Sequence, residues 1–316
     1  MPRLKEAISG PRPANVEDIP AMNAVFSESF TDRYRRDGLV GVRVPQLNPK
    51  VWRYAIADAA EGAMVWHDDD GLAAFNMVHR SGGEGWMGPL AVRPDLQGQG
   101  LGKGIVQAGV EWLRAGGVQI IGLETMPRTV DNIGFYSGLD FTPRYLTVTL
   151  TREVSSGGGP TECLSVASAP ESVLEECRSL TLGVQPSCDF TREIQLTADL
   201  GLGDTSLVYR DGALAGFALW HSSPLAEGRP AEELRVLKLV ALDLAAFEAL
   251  TEGLMSAGED LGISRLSVRC QTAFPEAYRS LVQCGFQVQW TDLRMTHTGY
   301  DEPIPNSGIV FSNWEI

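Results

Sequence analysis

Apolar residues in this chain fall into two patterns, short alternating runs and longer stretches with three- and four-residue spacing, and the succession of these patterns occurs twice. In the first half Ala63-Met64-Val65-Trp66 leads into Asp68-Asp69-Asp70-Gly71 and an apolar return run. In the second, Ser206-Leu207-Val208-Tyr209 leads into Asp211-Gly212 and another. Each predicts a β-hairpin. The return runs resemble each other, Gly71-Leu72-Ala73-Ala74-Phe75 through His79 against Ala213-Leu214-Ala215-Gly216-Phe217 through His221, at an offset of about 142 residues. After the first hairpin the pattern predicts a strand at Trp86 to Val92 and a helix from Leu101 that carries Ile105, Gly109, Trp112 and Leu113 and stops at Gly116-Gly117. A strand at Gln119 to Thr125, a short helix at Asn132 to Ser137 and a strand at Arg144 to Thr151 follow. The second half repeats the order with Arg235 to Leu242, a helix bearing Phe247, Leu250 and Leu254, Arg265 to Cys270, Glu276 to Gln283 and Gln287 to Leu293. Each half reads as α/β, a mixed, mainly antiparallel sheet flanked by helices.

Between the halves lies Ser155-Ser156-Gly157-Gly158-Gly159-Pro160, a flexible stretch ended by a proline. We divide the 316 residues into a first domain at 1–152, a linker at 153–162 and a second domain at 163–316. Both are long enough to bury a core. The composition is that of a globular protein, 44% hydrophobic and 21% charged, with no apolar run of the ~20 residues that crosses a bilayer. Acidic residues outnumber basic ones 40 to 26, a net charge of −14 that disfavours nucleic acid as a partner. Five cysteines, all in the second half and none in a CxxC pair, indicate neither a disulfide framework nor a zinc site, so no metal is expected. The N-terminal residues MPRLKEAISGPRP lack the apolar stretch of a secretory signal, and a cytoplasmic location is the expectation.

One segment carries chemistry: Val92-Arg93-Pro94-Asp95-Leu96-Gln97-Gly98-Gln99-Gly100-Leu101-Gly102-Lys103, which joins a strand to a helix. Glycines let the backbone approach a ligand, and the amides of the turn and of the first helical turn converge on one point with the helix dipole behind them. Such a turn favours an anion such as pyrophosphate, and is also a common packing device. The lysine and hydroxyl residue of a nucleotide-triphosphate loop are missing.

Gln97-Gly98-Gln99-Gly100-Leu101-Gly102 resembles the Q/R-x-x-G-x-G/A signature of the GNAT acetyltransferases. Val92-Arg93-Pro94 resembles that family's strand exit, and Phe135-Tyr136-Ser137-Gly138-Leu139-Asp140-Phe141 its later aromatic-Tyr helix and closing strand. The resemblance covers residues 11 to 151, and the second half is similar to the same fold in degenerate form, so the chain resembles two tandem GNAT-like domains. It implies transfer of an acetyl or acyl group from acetyl-CoA, the cosubstrate, to an amine acceptor. The backbone from Gln97 and Gly98 through Gln99, Gly100, Leu101 and Gly102 to Lys103 would hold the pyrophosphate, and Leu90, Ala91 and Val92 would pair with the pantetheine arm. Tyr136 would be the general acid for the departing thiolate, with Asn132 near the cofactor. For the base, Glu84 shares a strand face with Trp86, Gly88 and Leu90. Counting back from Val92 allows Trp86 at that site instead. Glu124 on the neighbouring strand is the second candidate, and a solvated strand-end charge is the plain alternative for either glutamate. His79, having a counterpart in His221, reads as structural. Thr129 stands where the family often has Asn, and Asp140 where it has Gly.

The second half has no glycine signature after Leu242, and Leu281 falls at the acid position, so it is expected to bind no CoA and to shape the acceptor cleft or close a sheet edge. Residues Phe26 to Gly38 would wall the acceptor site. The tail Tyr300 to Ile316, with its apolar end Val310-Phe311-Ser312-Asn313-Trp314-Glu315-Ile316, is expected to dock, against the first domain. The excess of acidic residues suits a cationic amine. A non-catalytic acyl-CoA sensor would carry the same cradle and is the alternative function.

Overall fold

The computed structural model describes residues 8–154, 164–166 and 172–314; the glycine-rich break at 155–160 lies outside them. The first half runs β1 (Ser9–Pro13), α1 (Ile19–Arg36), α2 (Pro49–Ala59), β2 (Ala63–Asp68), β3 (Gly71–Ser81), β4 (Glu84–Val92), α3 (Leu101–Ala115), β5 (Ile120–Thr125), α4 (Val130–Ser137) and β6 (Phe141–Glu153). The second repeats this order with β7 (Leu164–Ser165), α5 (Ser172–Val184), α6 (Thr191–Asp199), β8 (Gly203–Arg210), β9 (Ala213–His221), β10 (Glu233–Ala241), α7 (Leu244–Asp260), β11 (Arg265–Gln271), α8 (Pro275–Gln283) and β12 (Gln287–His297), then adds β13 (Ile309–Ser312). Both hairpins form at their turn residues. Asp211 and Gly212 take φ values of 52° and 77°, the left-handed pair that matches strand twist.

All these strands belong to one sheet, ordered β1-β2-β3-β4-β5-β12-β6-β11-β10-β9-β8-β7. The two halves exchange their last long strands. β12 runs antiparallel between β5, with Leu293 opposite Thr125, and β6, with Leu293 opposite Leu146. β6 in turn pairs with β11, Val268 opposite Leu150.

Side-chain alternation sorts the strands onto two helical layers. In the first half Val65, Phe75 and Met77 face α1 and α2 with Trp52 and Met22, while Ala74, Val78 and Met87 face α3 with Ile105 and Val106. Strand β3 is therefore covered on both faces and almost wholly buried. In the second half Leu234, Val236, Leu266 and Val268 pack on Phe247, Leu250 and Leu254 of α7 and on Leu281 of α8.

The chain end is part of the core. β13 pairs antiparallel with β10, Phe311 opposite Leu239 and Ile309 opposite Ala241, because β10 meets β11 only from Glu233 to Val236. Phe311 lies fully buried against Phe247 and Phe274. Beyond it, Trp314 crosses to the first half, its ring 5.3 Å from that of Trp86 and 6.0 Å from that of His79. Among the described residues, no helix is long and apolar enough to cross a membrane.

Because Phe311 fills the core from the final strand, Phe311→Ala is expected to cost about 3–5 kcal/mol. Urea denaturation checks this, through a lower midpoint at unchanged slope.

Candidate active site

The site begins where two parallel neighbours part. β4 pairs with β5 only from Glu84 opposite Ile120 to Met87 opposite Leu123. Past that point Glu124 and Thr125 pair with β12, whereas β4 continues along β3 to Val92. The β5-side edge of Gly88 to Val92 therefore has no strand partner among the described residues, and its backbone groups face a cleft. A register shift between Asn76 and Val78 sets an irregularity opposite Gly88-Pro89. His79 holds this place: one ring nitrogen lies 3.2 Å from the Gly88 carbonyl oxygen and the other 2.6 Å from Asp58. Burial works to raise the Asp58 carboxyl, but the hydrogen bond and charge of His79 and the charge of Arg192 hold it below the usual range. His79 thus positions the strand. His221 is likewise buried, 2.9 Å from the Thr197 hydroxyl.

From the strand exit the chain makes a single 3-10 turn, Pro94–Leu96, and reaches the glycine loop. Arg93 fixes the exit by pairing with both oxygens of Asp68, at 3.0 and 2.5 Å, and with Asp95 at 2.8 Å. Gln97 turns back, its amide donating to the Val92 carbonyl at 2.9 Å. Gly98 and Gly100 adopt φ of 74° and 87°, and a Cβ at either would meet only open space. Gly100 caps the 15-residue α3 without a side chain. The amides of Leu101 and Gly102 consequently have no side-chain oxygen as a cap and lie at the positive end of the helix dipole, while that of Lys103 donates to the Gly100 carbonyl at 3.2 Å. Gly98, Gln99, Gly100 and Lys103 are exposed, while Leu101 packs into the core beneath. Among the described residues no side chain plugs the bend, which leaves it open to solvent.

Strand edge and loop open into one cavity of about 490 Å³, lined by Leu90, Ala91, Val92, Gln97, Gly98, Gly102, Asn132 and Tyr136. Phe30, Arg33 and Arg36 of α1 form its opposite wall. Arg33 pairs with Asp37 and with Asp131 at 3.4 Å, while Asp37 also accepts from the Thr129 hydroxyl at 2.5 Å. The end of α1 is thereby tied to the start of α4. Thr129 serves this tie, and Asp140 adopts the left-handed φ of 65° that Gly would otherwise supply. Asn132 donates to the Thr125 hydroxyl at 3.5 Å. Tyr136 projects from α4 between Phe135 and Phe141, and burial raises its phenol to about 12, so it is a proton donor throughout the neutral range.

The two glutamates have different surroundings. Glu84 does not line this cavity. It is enclosed, accepting from Trp86 Nε1 at 3.1 Å and from the Ser312 hydroxyl at 2.5 Å, with Lys238 Nζ 4.0 Å away. Glu124 does line it, accepting from Arg269 at 2.5 Å and from Arg294 at 2.8 Å. Burial pushes the Glu124 carboxyl up, but the two guanidinium charges and the Thr147 and Arg294 hydrogen bonds bring it below its ordinary value. It is a fixed anion.

A third carboxylate comes from the second half. Asp292 of β12 lines the cavity beside Glu124, bonded to Arg269 at 3.0 Å and to Trp290 Nε1 at 3.1 Å. Burial, reinforced by the Glu124 charge and only partly offset by Arg269, raises its carboxyl above the usual range. Tyr34 and Trp290 stand at this end with ring centroids 6.1 Å apart, and burial and the Asp292 charge push the Tyr34 phenol up. No short-range sequence pattern marks Asp292, because only the strand exchange brings it here.

Residues 24–141 match the profile of the acetyltransferase (GNAT) family. No curated protein matches the chain. Among solved structures, a candidate acetyltransferase from Pyrococcus horikoshii superposes with a TM-score of 0.70 at 15% identity, over 99% of this chain and 97% of its own. A GCN5-related N-acetyltransferase from Sphaerobacter thermophilus gives 0.60 at 15% identity, over 95% and 96%. The Saccharomyces cerevisiae N-myristoyltransferase with bound myristoyl-CoA gives 0.63 at 10% identity, over 96% and 85%. At these identities the likeness is one of fold, and it extends over both halves. The divergent strands, glycine loop and aromatic helix described above all lie within or beside the matched segment, and residues 24–141 of this chain belong to the GNAT acetyltransferase family.

Proposed function

We propose that the chain is an N-acyltransferase that moves an acetyl group from acetyl-CoA to a cationic amine. One observation carries the reading: a strand edge free of partners, an unplugged anion cradle, a neutral phenol and an anionic wall all open into the same cavity. The main-chain hydrogens between Gln97 and Lys103 would grip the pyrophosphate, and the free edge from Gly88 to Val92 would hold the pantetheine amides as an added strand. That geometry directs the thioester toward the point where β4 leaves β5, next to Tyr136, Glu124 and Asp292. The same slot in the second half, beside Lys238 to Ala241, is filled by β13. We place the one cofactor site in the first half.

The acceptor enters from the Tyr34 and Trp290 end. Glu124 attracts the ammonium group as a standing charge. Asp292 takes the proton, because a carboxyl raised above its ordinary range is the stronger base of the two. The freed amine attacks the thioester carbonyl; as the C–S bond breaks Tyr136 gives its proton to the departing thiolate, the second proton of the attacking nitrogen returns to the Tyr136 phenolate as the amide forms, and Asp292 releases the first to solvent. An acid and a base set by differing surroundings divide the two proton transfers between them. Glu84, closed off behind Trp86, joins the halves and does not meet substrate.

Three outcomes are expected. Gly102→Glu, at a helical position where a Cβ meets only Phe135 at 3.5 Å, should leave the fold intact and abolish acetyl-CoA binding by calorimetry. An unaltered affinity contradicts the cradle. Tyr136→Phe should lower kcat by about 10²–10⁴-fold with little change in cofactor affinity, as loss of a general acid requires, and parallel loss of affinity assigns the residue to binding. For Asp292, raised in the folded state, the rate should climb with pH through a midpoint above the ordinary carboxylate range, since the group works only once deprotonated. Asp292→Asn should remove that limb from the kcat/KM profile; a limb that persists in the variant rules out Asp292 as its source.

A further inference from the structure

The halves meet through a buried cluster of charges that the proposed transfer does not use. Its members come from α2, β3 and α6. Asp58 is wholly enclosed; one of its oxygens accepts from Arg192 Nη2 at 2.6 Å and the other lies 2.6 Å from His79. Arg192 also donates to the Arg80 carbonyl at 2.6 Å, which clamps α6 of the second half onto β3 of the first. Glu193, the next residue on α6, is buried too and accepts from the Ser81 hydroxyl. Two carboxylates therefore lie beside one guanidinium.

They do not share it evenly. Arg192 stands 2.6 Å from Asp58 but 3.8 Å from Glu193. The second oxygen of Glu193 and the Nε of Arg192 are both buried without a partner among the described residues, an acceptor and a donor on adjacent residues. An ionised carboxylate buried with an unmet oxygen is costly, and a neutral one much less so. Burial and the Asp58 charge raise the Glu193 carboxyl to about 7, against the charges of Lys238 and Arg192 and the Ser81 hydrogen bond. Two more titratable groups stand close: Tyr54, one turn before Asp58 on α2, near Arg192, and His221 of β9, bonded to Thr197 one turn along α6. The charges of α5 and β8, which also pack on α6, are engaged elsewhere: Arg178 with Glu175 and Asp189, Glu176 with Tyr209, Asp204 with Ser165, and Arg210 with Asp243.

We propose that Glu193 is a positioning residue for the cofactor strand, acting through Arg192, Asp58 and His79. Neutral, it leaves Arg192 to Asp58, and that pair keeps His79 on the Gly88 carbonyl at the start of the free edge. Ionised, once its proton has passed to solvent, its unmet oxygen draws the Arg192 Nε, weakens the hold on Asp58 and loosens Gly88. The second half thus sets how firmly the first can seat acetyl-CoA. The inference rests on the reading of the Gly88 to Val92 edge as the cofactor's seat.

Calorimetric titration of the full chain with acetyl-CoA over roughly pH 5.5 to 8.5 tests it, wild type against Glu193→Gln at each pH so that ionisation of the cofactor itself cancels. Wild-type affinity should fall about tenfold relative to the variant as the pH rises through neutrality. Arg192→Gln, at a side chain that is partly exposed, should bind weakly at every pH and lose the same dependence, and it decides the matter if Glu193→Gln does not fold. A second readout needs no cofactor. Folded Glu193 holds its proton more tightly than the unfolded chain does, so its stabilisation is complete below the ordinary glutamate range and is lost as the pH rises toward about 7. Urea denaturation should show the wild-type folding constant falling relative to Glu193→Gln by about tenfold per pH unit across that window. An identical pH course of affinity in wild type and variant, or a stability difference that does not move with pH, overturns the positioning role alone. Absence of acetyl-CoA binding by every protein at every pH overturns it together with the cofactor reading.

Discussion

The insertion of β12 between β5 and β6 is the constraint on which the rest depends. A strand placed there pairs with the edge of β5 turned away from β4, opposite Gly122 to Thr125, and keeps β5 in the sheet past Leu123, where its pairing with β4 ends. The cleft beside Gly88 to Val92 lies where those two strands part. The same strand brings Arg294, which is wholly buried, lies 3.5 Å over the Trp86 ring and bonds to Glu124 and Glu302. A buried guanidinium in that position is tolerable only because carboxylates surround it, and removing one partner would leave a charge stranded in the interior. Asp292 is delivered by the same strand, so site and fold rest on one exchange.

Two slots of the same design have come to different ends. In each half the fourth and fifth strands pair over a few residues and then diverge. Beside β4 the divergence opens onto a glycine loop and a cavity. Beside β10 it holds the chain's own β13, whose backbone supplies the pairing that Lys238 to Ala241 otherwise lack on the β11 side. The charged interior then extends across the halves, from Lys238 through Ser312 and Glu84 to Trp86. That chain of contacts accounts for two buried charges, Glu84 and Lys238, that no local pattern explains.

Much of the fold was legible because its helices and hairpins announce themselves locally. Ile105, Gly109 and Leu113 at helical spacing, Asp211-Gly212 at a turn, and glycines before α3 each state their own structure. The 142-residue offset between the hairpins exposed the repeat. What could not be read is which strand lies beside which. Strands expected to end at Thr151 and Leu293 run on to Glu153 and His297, because their partners come from the opposite half. The glycine loop and Tyr136 were visible as a motif of contiguous or nearly contiguous residues. Glu84 and Glu124 looked alike in sequence, each a glutamate on a neighbouring strand, and only partners from positions 269, 294 and 312 separate the enclosed one from the one on the cavity. Asp292 had no local signal at all, being one polar residue in an alternating strand more than 150 residues from Tyr136.

The central claim is that this cavity carries out acyl transfer and does not merely hold an acyl-CoA. Release of free thiol from acetyl-CoA, followed over a panel of primary amines ranging from cationic to anionic, tests it most directly. Turnover is expected to rise with positive charge on the acceptor, one thiol appearing per amine acetylated. Saturable acetyl-CoA binding with no thiol released by any amine would contradict it and leave a cofactor sensor in its place.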